Sequence, residues 1–275
     1  MPLPQIQVGS ITIISLSDGS MAAAPAGVWP SVPAEQWEPF QEYFSPDGTL
    51  AFNLGSFLIR ENDSWTLVDT GFGNRPNTRG GGLAAELRRA EVSPDQISRV
   101  IITHLHGDHI GGNTVDVDGK SVPAFKNARY VLQRADWAHF QRPDVKSTSL
   151  PIVLCADPIE EAGQLDLLDG GQSLTAGIST ILTPGHTPGH QSVLISSGDQ
   201  KVVVLGDASH SPVQIAQPGW SPAFDANPEQ SAKTRADLFD RIEQEGLIIA
   251  AGHYPYPGLG GIVRVEGKRR WQPLS

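Results

Sequence analysis

The sequence predicts a mixed α/β fold built from many short strands and a few helices. Its 29 glycines and 22 prolines separate short apolar runs, a spacing typical of strands joined by turns. Apolar residues with helical spacing recur at three places between these runs. Strands and helices are therefore expected to alternate irregularly along the chain.

The individual elements follow from these two patterns. Apolar or alternating segments predict strands, in chain order, at 11–16, 56–60, 65–68, 100–103, 129–133, 165–168, 179–183, 192–196 and 202–205. Helical spacing predicts helices at 83–90, 135–141 and 228–245. Pro228 would stand in the first turn of the last helix, a position that proline suits.

The length of 275 residues allows one or two domains and a substantial buried core. Since no internal repeat and no low-complexity tract divides the chain, we predict a single domain over residues 1–275. The composition, 39% hydrophobic and 18% charged without a long apolar run, disfavours a disordered chain and a membrane-spanning one.

The net charge and the single cysteine limit the classes of binding partner and metal site that the protein can have. A formal charge of −10 disfavours nucleic acid and anionic membranes as partners and favours a small-molecule substrate. The single cysteine, Cys155, allows no internal disulfide and no cysteine-rich zinc site, and we expect it to be a buried packing residue. The amino terminus lacks the pattern of a secretory signal, so the expected location is the cytoplasm.

Residues 21–46 differ from the rest of the chain because they combine five prolines with large aromatic side chains. These aromatic residues are Trp29, Trp37, Phe40, Tyr43 and Phe44. We expect a surface arm that packs them onto the body of the protein. The alternatives are a flap over a substrate pocket and a contact between two copies of the chain, and the second of these makes a homodimer the preferred oligomer.

The most informative segment follows an apolar run and places His104, His106, Asp108 and His109 within six residues. An extended chain directs His104 and His106 to the same face. Gly107 lets the chain turn, so that Asp108 and His109 can point into the same cavity. Imidazole and carboxylate groups at this density suit zinc or another divalent transition metal.

Three later residues stand in a similar position, directly after an apolar run. His186 follows a predicted strand within a turn rich in proline and glycine, Asp207 follows the strand at 202–205, and His253 follows the apolar run at 247–251. Their shared placement makes them candidate ligands of the same metal site.

With Asp69 in a Leu-Val-Asp-Thr-Gly motif, these residues resemble the metallo-β-lactamase superfamily, from Asp69 through His253. The resemblance implies an αββα sandwich, in which two mixed β-sheets pack back to back between helices, with a dinuclear metal site at one edge. It also implies the ligands by position. The first cation would be held by His104, His106 and His186, the second by Asp108, His109 and His253, and Asp207 would bridge the two.

The same resemblance gives supporting roles to Asp69, beneath the histidine loop, and to His190, behind the ligands. Asp207 stands where the commonest true β-lactamases carry cysteine, and Leu105 stands where redox diiron relatives carry glutamate, so neither activity fits. Only 22 residues follow His253, fewer than the helical part with which glyoxalase II-like hydrolases recognise glutathione.

The last third of the chain resembles the methyl parathion hydrolase-like branch, which includes organophosphate hydrolases and lactonases. This resemblance is carried by Gly206-Asp207-Ala208-Ser209-His210, Gln214, Phe224-Asp225, a helix with Arg235, and the segment 252–260. Quorum-quenching lactonases of the other branch have a tyrosine three residues after the bridging aspartate, in contact with the substrate carbonyl. His210 stands there in this chain.

We therefore expect a dinuclear hydrolase that attacks a lactone, a carboxylic ester or an organophosphate ester with a metal-bridging hydroxide. Two cations that share a water molecule would lower the pKa of that water to roughly 7. Zinc is the default metal, and manganese, cobalt or iron would suit the same ligands. Asp108 is the candidate proton acceptor, and His210 is the candidate donor to the developing oxyanion.

The sequence says less about the substrate pocket. Aromatic residues near the motif loops are candidates for its walls. They are Phe72, Trp137, Trp220, Phe224 and Tyr254. Two alternative functions share the metal site: a glyoxalase II-like thioester hydrolase, and a metal-binding scaffold without activity. The presence of all seven ligands disfavours the scaffold.

Overall fold

The computed structural model describes residues 2–74 and 80–274. The strands are β1 Gln5–Val8, β2 Ile11–Ala23, β3 Leu50–Glu61, β4 Ser64–Val68, β5 Ile97–Ile101, β6 Thr114–Val117, β7 Lys120–Pro123, β8 Arg129–Gln133, β9 Leu165–Leu168, β10 Ile178–Leu182, β11 Gln191–Ser197, β12 Gln200–Val204, β13 Ile248–Ala250, β14 Leu259–Val265 and β15 Lys268–Pro273. The α-helices are α1 Pro25–Val28, α2 Leu83–Arg89, α3 Gly107–Ile110, α4 Arg134–Phe140, α5 Pro143–Lys146, α6 Asp157–Glu161, α7 Val213–Ala216 and α8 Pro228–Glu245. A 3₁₀ segment spans Ala34–Tyr43, and a π-helical turn spans Ile152–Ala156.

The strands form two mixed sheets and a separate hairpin. The first sheet has the order β1-β2-β3-β4-β5-β8-β9, antiparallel from β1 to β4 and parallel from β4 to β9. The second runs in sequence order from β10 to β15, and its one parallel pair, β12 with β13, is connected through α8. Strands β6 and β7 form the hairpin.

Alternation along the strands shows how the layers pack. In β12, Val202 and Val204 belong to the core between the sheets, whereas Val203 packs with residues of α8. In the first sheet, Ile101 belongs to the core between the sheets, whereas Val100 packs with Leu87 of α2. Both sheets are therefore covered by helices on their outer faces, and the predicted αββα sandwich is confirmed.

Most predicted elements occur at the expected places. Helix α8 has the predicted bounds, and its amino terminus is capped by the Asn227 side chain, which accepts a hydrogen bond from the Gln230 amide. Strands β2 and β3 are longer than predicted, because their pairing continues past a β-bulge between Ser17 and Ser20. Strands β14 and β15 are not predicted from the sequence, because their half-exposed polar residues give no clear alternation.

The arm formed by residues 21–46 packs its aromatic side chains against the body. Trp29 and Trp37 are buried, with ring centroids 5.4 Å apart, and the Trp37 ring lies 4.8 Å from that of Trp220. Phe40 is buried in the same cluster. Because their own chain buries these rings, they offer no exposed aromatic face to a second copy, and the homodimer stays a prediction.

Two further expectations concern Cys155 and membranes. The Cys155 side chain is buried in the core between the first sheet and its helices, as expected for a packing residue. Within residues 2–74 and 80–274, no helix is both long enough and apolar enough to cross a membrane.

Candidate metal centre

The seven predicted ligands converge at one edge of the sandwich. They follow the carboxyl ends of four strands that belong to both sheets: β5, β10, β12 and β13. The side chains form two groups in which the potential ligand atoms lie within 4.8 Å of one another. The first group is His104, His106, His186 and Asp207, and the second is Asp108, His109 and His253.

The histidine loop has the local geometry that its sequence predicts. His106 is extended, with φ −80° and ψ 153°, and the side chains of His104 and His106 lie in the same ligand group. The short helix α3 then begins at Gly107 and turns Asp108 and His109 toward the same space. One tight turn thus supplies ligands to both groups.

The first group is compact. The Nε2 atom of His186 lies 3.2 Å from His104 Nε2 and 2.9 Å from His106 Nδ1, and these last two atoms are 3.0 Å apart. Asp207 Oδ2 lies 3.6 Å from His104 Nε2 and 3.3 Å from His186 Nε2. A tetrahedral zinc ion with bonds of about 2.0–2.1 Å requires ligand atoms about 3.3 Å apart, so this spacing fits one cation.

The second group has similar spacing around the other oxygen of Asp207. Asp207 Oδ1 lies 3.2 Å from His109 Nε2 and 3.1 Å from His253 Nε2. Asp108 Oδ2 lies 3.5 Å and 3.4 Å from the same two nitrogens. Because its two oxygens face different groups, Asp207 is placed to bridge two cations.

Two buried atoms in this centre have no hydrogen-bond partner among the described residues. They are His109 Nε2 and Asp207 Oδ1, which lie 3.2 Å apart without a hydrogen bond. Buried polar atoms without partners are costly, and a cation between them would satisfy both. The donor set and its geometry therefore fit divalent metal ions.

Asp69 and Thr103 support the histidine loop from below. Asp69 Oδ2 accepts hydrogen bonds from His109 Nδ1 and from the Thr103 hydroxyl, both at 2.8 Å. That hydroxyl in turn accepts from His104 Nδ1 at 3.0 Å. These bonds fix the tautomers of both rings, so that their Nε2 lone pairs point into the centre.

The other imidazoles are supported by distant parts of the chain. His186 Nδ1 donates to Asp225 Oδ1 at 2.9 Å, and Asp225 Oδ2 accepts from Arg235 at 3.3 Å. This ion pair is fully buried. His253 Nδ1 donates to the carbonyl oxygen of Asn53 at 2.8 Å. Asp225 and Arg235 are part of the sequence motif that carries the family resemblance, but the sequence indicates no supporting role for them or for Asn53.

His190 lies behind the bridging residue, as expected for a supporting position. Its Nε2 accepts the backbone N–H of Asp207 at 2.8 Å, and its Nδ1 donates to Thr183. Gly206 is required there, because it has φ 56° and a Cβ atom would come within 2.6 Å of His190 Nε2.

The electrostatics of the two groups differ. Burial, followed by the charge on His186, lowers the pKa of His106 to about 3, and burial also lowers the pKa of His104. Burial opposes charge on His253 as well, but Asp207 and Asp108 outweigh it and raise its pKa to about 9. The same carboxylates, with Asp69, raise the pKa of His109 despite its burial.

His210 contacts the bridging carboxylate. Its Nε2 lies 3.1 Å from Asp207 Oδ2, so that nitrogen donates to the carboxylate. Its Nδ1 is buried without a partner among the described residues. In this arrangement the Nε2–H of His210 is engaged by Asp207, and the expected role of His210 as a donor to the developing oxyanion stays a prediction.

A cavity of about 410 Å³ opens over both groups. One wall is the centre itself, where His106, Asp108 and His210 are among the lining residues. The other wall is apolar, and it is formed by Met21, Ala23, Val28, Phe52 and Phe224. No lysine or arginine is among the described residues that line it. The arm therefore contributes to the cavity as well as packing against the body.

Of the five aromatic pocket candidates, Phe224 lines this cavity. Tyr254 is fully buried beneath it, bonded to the Ser209 hydroxyl and packed on Trp271, and Trp220 packs against Trp37. Trp137 packs against the core of the first sheet, and Phe72 lies outside the lining. These four residues are therefore not among the described residues that line the cavity, and their contact with a substrate stays a prediction.

Comparison with known proteins gives a consistent result. The model of the Metallo-beta-lactamase superfamily matches residues 56–253. The N-acyl homoserine lactonase of Bacillus cereus is 29% identical over 170 residues, which are 61% of this chain and 60% of that protein. The chain thus spans about three fifths of the length of the curated relatives it matches.

Two solved structures match almost end to end. The crystal structure of the hydrolase AbOPH of the beta lactamase superfamily has a TM-score of 0.89 and 25% identity, covering 100% of this chain and 98% of that one. The structure of AidC, a dizinc quorum-quenching lactonase in complex with a product, has a TM-score of 0.86 and 23% identity, with the same coverage. At that identity the likeness to AidC shows the fold.

Proposed function

The chain belongs to the metallo-beta-lactamase superfamily, and on this premise we propose that it is a dinuclear metal-dependent hydrolase that opens lactones. The observation that carries the proposal is the bridging geometry of Asp207, whose two oxygens face two separate ligand groups beneath one cavity. The N-acyl homoserine lactonases among its relatives support the lactone as the substrate.

The seven residues of the two groups would hold the cations, with zinc as the expected metal. When bound, the two cations would supply an ionised water near neutral pH and polarise the scissile carbonyl. The chain itself fixes the ligands through Asp69, Asp225, His190 and the Asn53 carbonyl, so the donors are already oriented.

We propose Asp108 as the residue that moves a proton. Its side chain is 16% exposed, against 5% for Asp207, and it lines the cavity. It can therefore accept a proton from the attacking water and return it to the leaving oxygen. His210, which donates to Asp207 Oδ2, would hold the bridging carboxylate in place during these steps.

The cavity favours an uncharged substrate with an apolar substituent. Its apolar wall of Met21, Val28 and Phe52 faces the centre, and its lining among the described residues includes no cationic side chain. A glutathione thioester, with two carboxylates to bind, would find no partner there. Neutral carboxylic esters and organophosphate triesters satisfy the same requirements, so we include them as further substrates.

A substrate panel tests the proposal. Purified protein loaded with zinc would be assayed with N-acyl homoserine lactones, p-nitrophenyl esters, an organophosphate triester and a glutathione thioester. We expect the highest kcat/KM on a lactone, loss of activity after dialysis against a chelator, and recovery on adding zinc. A thioester turned over fastest would contradict the proposal, as would lactone turnover that survives complete removal of metal.

A further inference from the structure

One buried carboxylate joins the two loops that carry the first ligand group. Asp136 lies in the first turn of α4 and is fully buried. Its Oδ2 accepts the backbone N–H of Leu105, between His104 and His106, at 2.9 Å. Its Oδ1 accepts the backbone N–H of Gly189, in the loop of His186, also at 2.9 Å.

These loops belong to different sheets, so their separation is not fixed by strand pairing. At their base Gln191 joins them, because its backbone N–H donates to the Thr103 carbonyl at 3.0 Å and its side chain donates to that of Ile102 at 2.8 Å. Asp136 makes the second connection, nearer the ligands, and it is the residue that touches both peptides there.

The His186 loop approaches α4 very closely at Gly189. A Cβ atom at Gly189 would lie 2.3 Å from the backbone nitrogen of Asp136 and 2.8 Å from its Cβ. Only glycine permits this contact, since backbone atoms cannot move aside as the end of a flexible side chain can. The contact therefore leaves little freedom in the distance between the loops.

We propose that Asp136 is a positioning residue that holds the His104–His106 loop against the His186 loop and thereby sets the affinity of the first ligand group for a divalent cation. It contacts no ligand side chain in the described hydrogen bonds and acts through the two peptides. The inference shares one assumption with the proposed function, namely that the first ligand group binds a cation.

Two parent variants separate the ligand groups for the test. His253→Ala removes an imidazole of the second group and leaves the first complete, and His186→Ala does the opposite. Asp136→Asn would be added to each, because the amide keeps the size of the side chain but presents an N–H to one of the two donors. Zinc dissociation constants would be measured by competition with a chromophoric chelator.

We expect Asp136→Asn to weaken zinc binding about 10- to 100-fold in the His253→Ala parent, the usual effect of losing a group that orients ligands. In the His186→Ala parent we expect no change. Equal weakening in both parents, or none in the first, would show that Asp136 only stabilises the fold and would overturn the inference.

Asp18→Asn is the matched control. Asp18 is also a buried carboxylate, and it accepts backbone N–H groups from Phe72, Gly81 and Leu83, none of them in the two loops. It should lower the melting temperature of the cation-free protein without a selective loss of zinc at the first group. A selective loss equal to that of Asp136→Asn would contradict the inference.

Gly189→Ala provides a second test if Asp136→Asn fails to fold. The added methyl group would push the His186 loop away from α4, so we expect the same selective weakening at the first group. Weakening shared by both groups would overturn the inference. The lactone activity of the wild-type protein, measured in parallel, reports on the proposed function independently of these zinc affinities.

Discussion

The two ligand groups share Asp207 and a similar spacing, yet they are surrounded by different charges. The first group has three imidazoles and a single carboxylate oxygen, from Asp207. The second has two imidazoles between Asp108 and the other oxygen of Asp207, and Asp69 lies behind His109. The second group is therefore the more negative of the two.

This difference determines what each group holds when no cation is bound. Burial keeps His104 and His106 neutral by lowering the pKa of both rings, so these two ligands of the first group offer lone pairs without losing a proton. The carboxylates raise the pKa of His109 and His253, so the second group binds protons. Cation binding is then simple association at these two ligands and an exchange with protons at the second group.

Removing the charge of the shared residue should have the largest effect. Asp207→Asn keeps one oxygen but cannot bridge as a carboxylate. We expect lactone kcat/KM to fall at least about 10³-fold, equivalent to roughly 4 kcal/mol. The first group should lose more zinc affinity than the second, because only the second keeps another carboxylate, that of Asp108. Metal content and kinetics of the same preparation check both statements.

Asp166→Asn is the control for this substitution. It removes an exposed carboxylate that pairs with Arg129 far from the centre, and we expect unchanged metal content and turnover. Two equivalents of zinc with wild-type turnover in Asp207→Asn would show that the bridge is dispensable, and the comparison between the groups would lose its basis.

The pH dependence of zinc binding should separate the two groups next. With a pKa of about 9, His253 carries a proton at neutral pH in the cation-free protein, and a cation must displace it. In the His186→Ala variant we therefore expect the affinity to fall about tenfold for each unit of pH below 9 for one displaced proton, and more steeply if His109 also releases one.

The first group should respond less steeply over the same interval. With a pKa of about 3, His106 has no proton to release between pH 6 and 9, and burial lowers the pKa of His104 as well. The His253→Ala variant should therefore show a shallower slope than the His186→Ala variant. Titrations with a competing chelator at several pH values measure the two slopes. Parallel slopes would mean that the charge difference does not control protonation.

The sequence predicts the ligands well because their signals are local. Four of them lie in one hexapeptide, and the other three each follow an apolar run. Asp69 and His190 were predicted as supporting residues, but the roles of Asp225 and the Asn53 carbonyl were not, because Asp225 acts on His186 across 39 positions and the Asn53 carbonyl acts on His253 across 200. A buried aspartate such as Asp136 has no periodic pattern, and only the packed loops reveal its partners.

The prediction of the fold is also limited to elements that have a strong local signal in the sequence. Strands with a strong apolar run, such as β12, were predicted within two residues, whereas the half-exposed hairpin of β14 and β15 was missed. The lining of the cavity is equally hard to predict from the sequence, because packing decides which residues near the motifs reach it. Tyr254 and Trp220 pack into apolar cores, whereas Phe224 and the smaller Ala23 and Val28 line the cavity.

The smallest expected effect on zinc binding comes from the carboxylates that orient one imidazole in each group, and their substitution distinguishes how the two groups are built. Asp225→Asn and Asp69→Asn should each weaken zinc binding about 10- to 100-fold at the group they support. Asp225→Asn should in addition lower the free energy of unfolding by about 3–5 kcal/mol, because it leaves the Arg235 guanidinium buried without a counter-charge. Asp69 has no such partner among its described hydrogen bonds, so its substitution should cost less stability.

Zinc affinities in the two parent variants and urea unfolding of the cation-free proteins measure these effects. If Asp225→Asn weakened both groups equally, its influence would run through the fold rather than through His186, and the groups would not be independent.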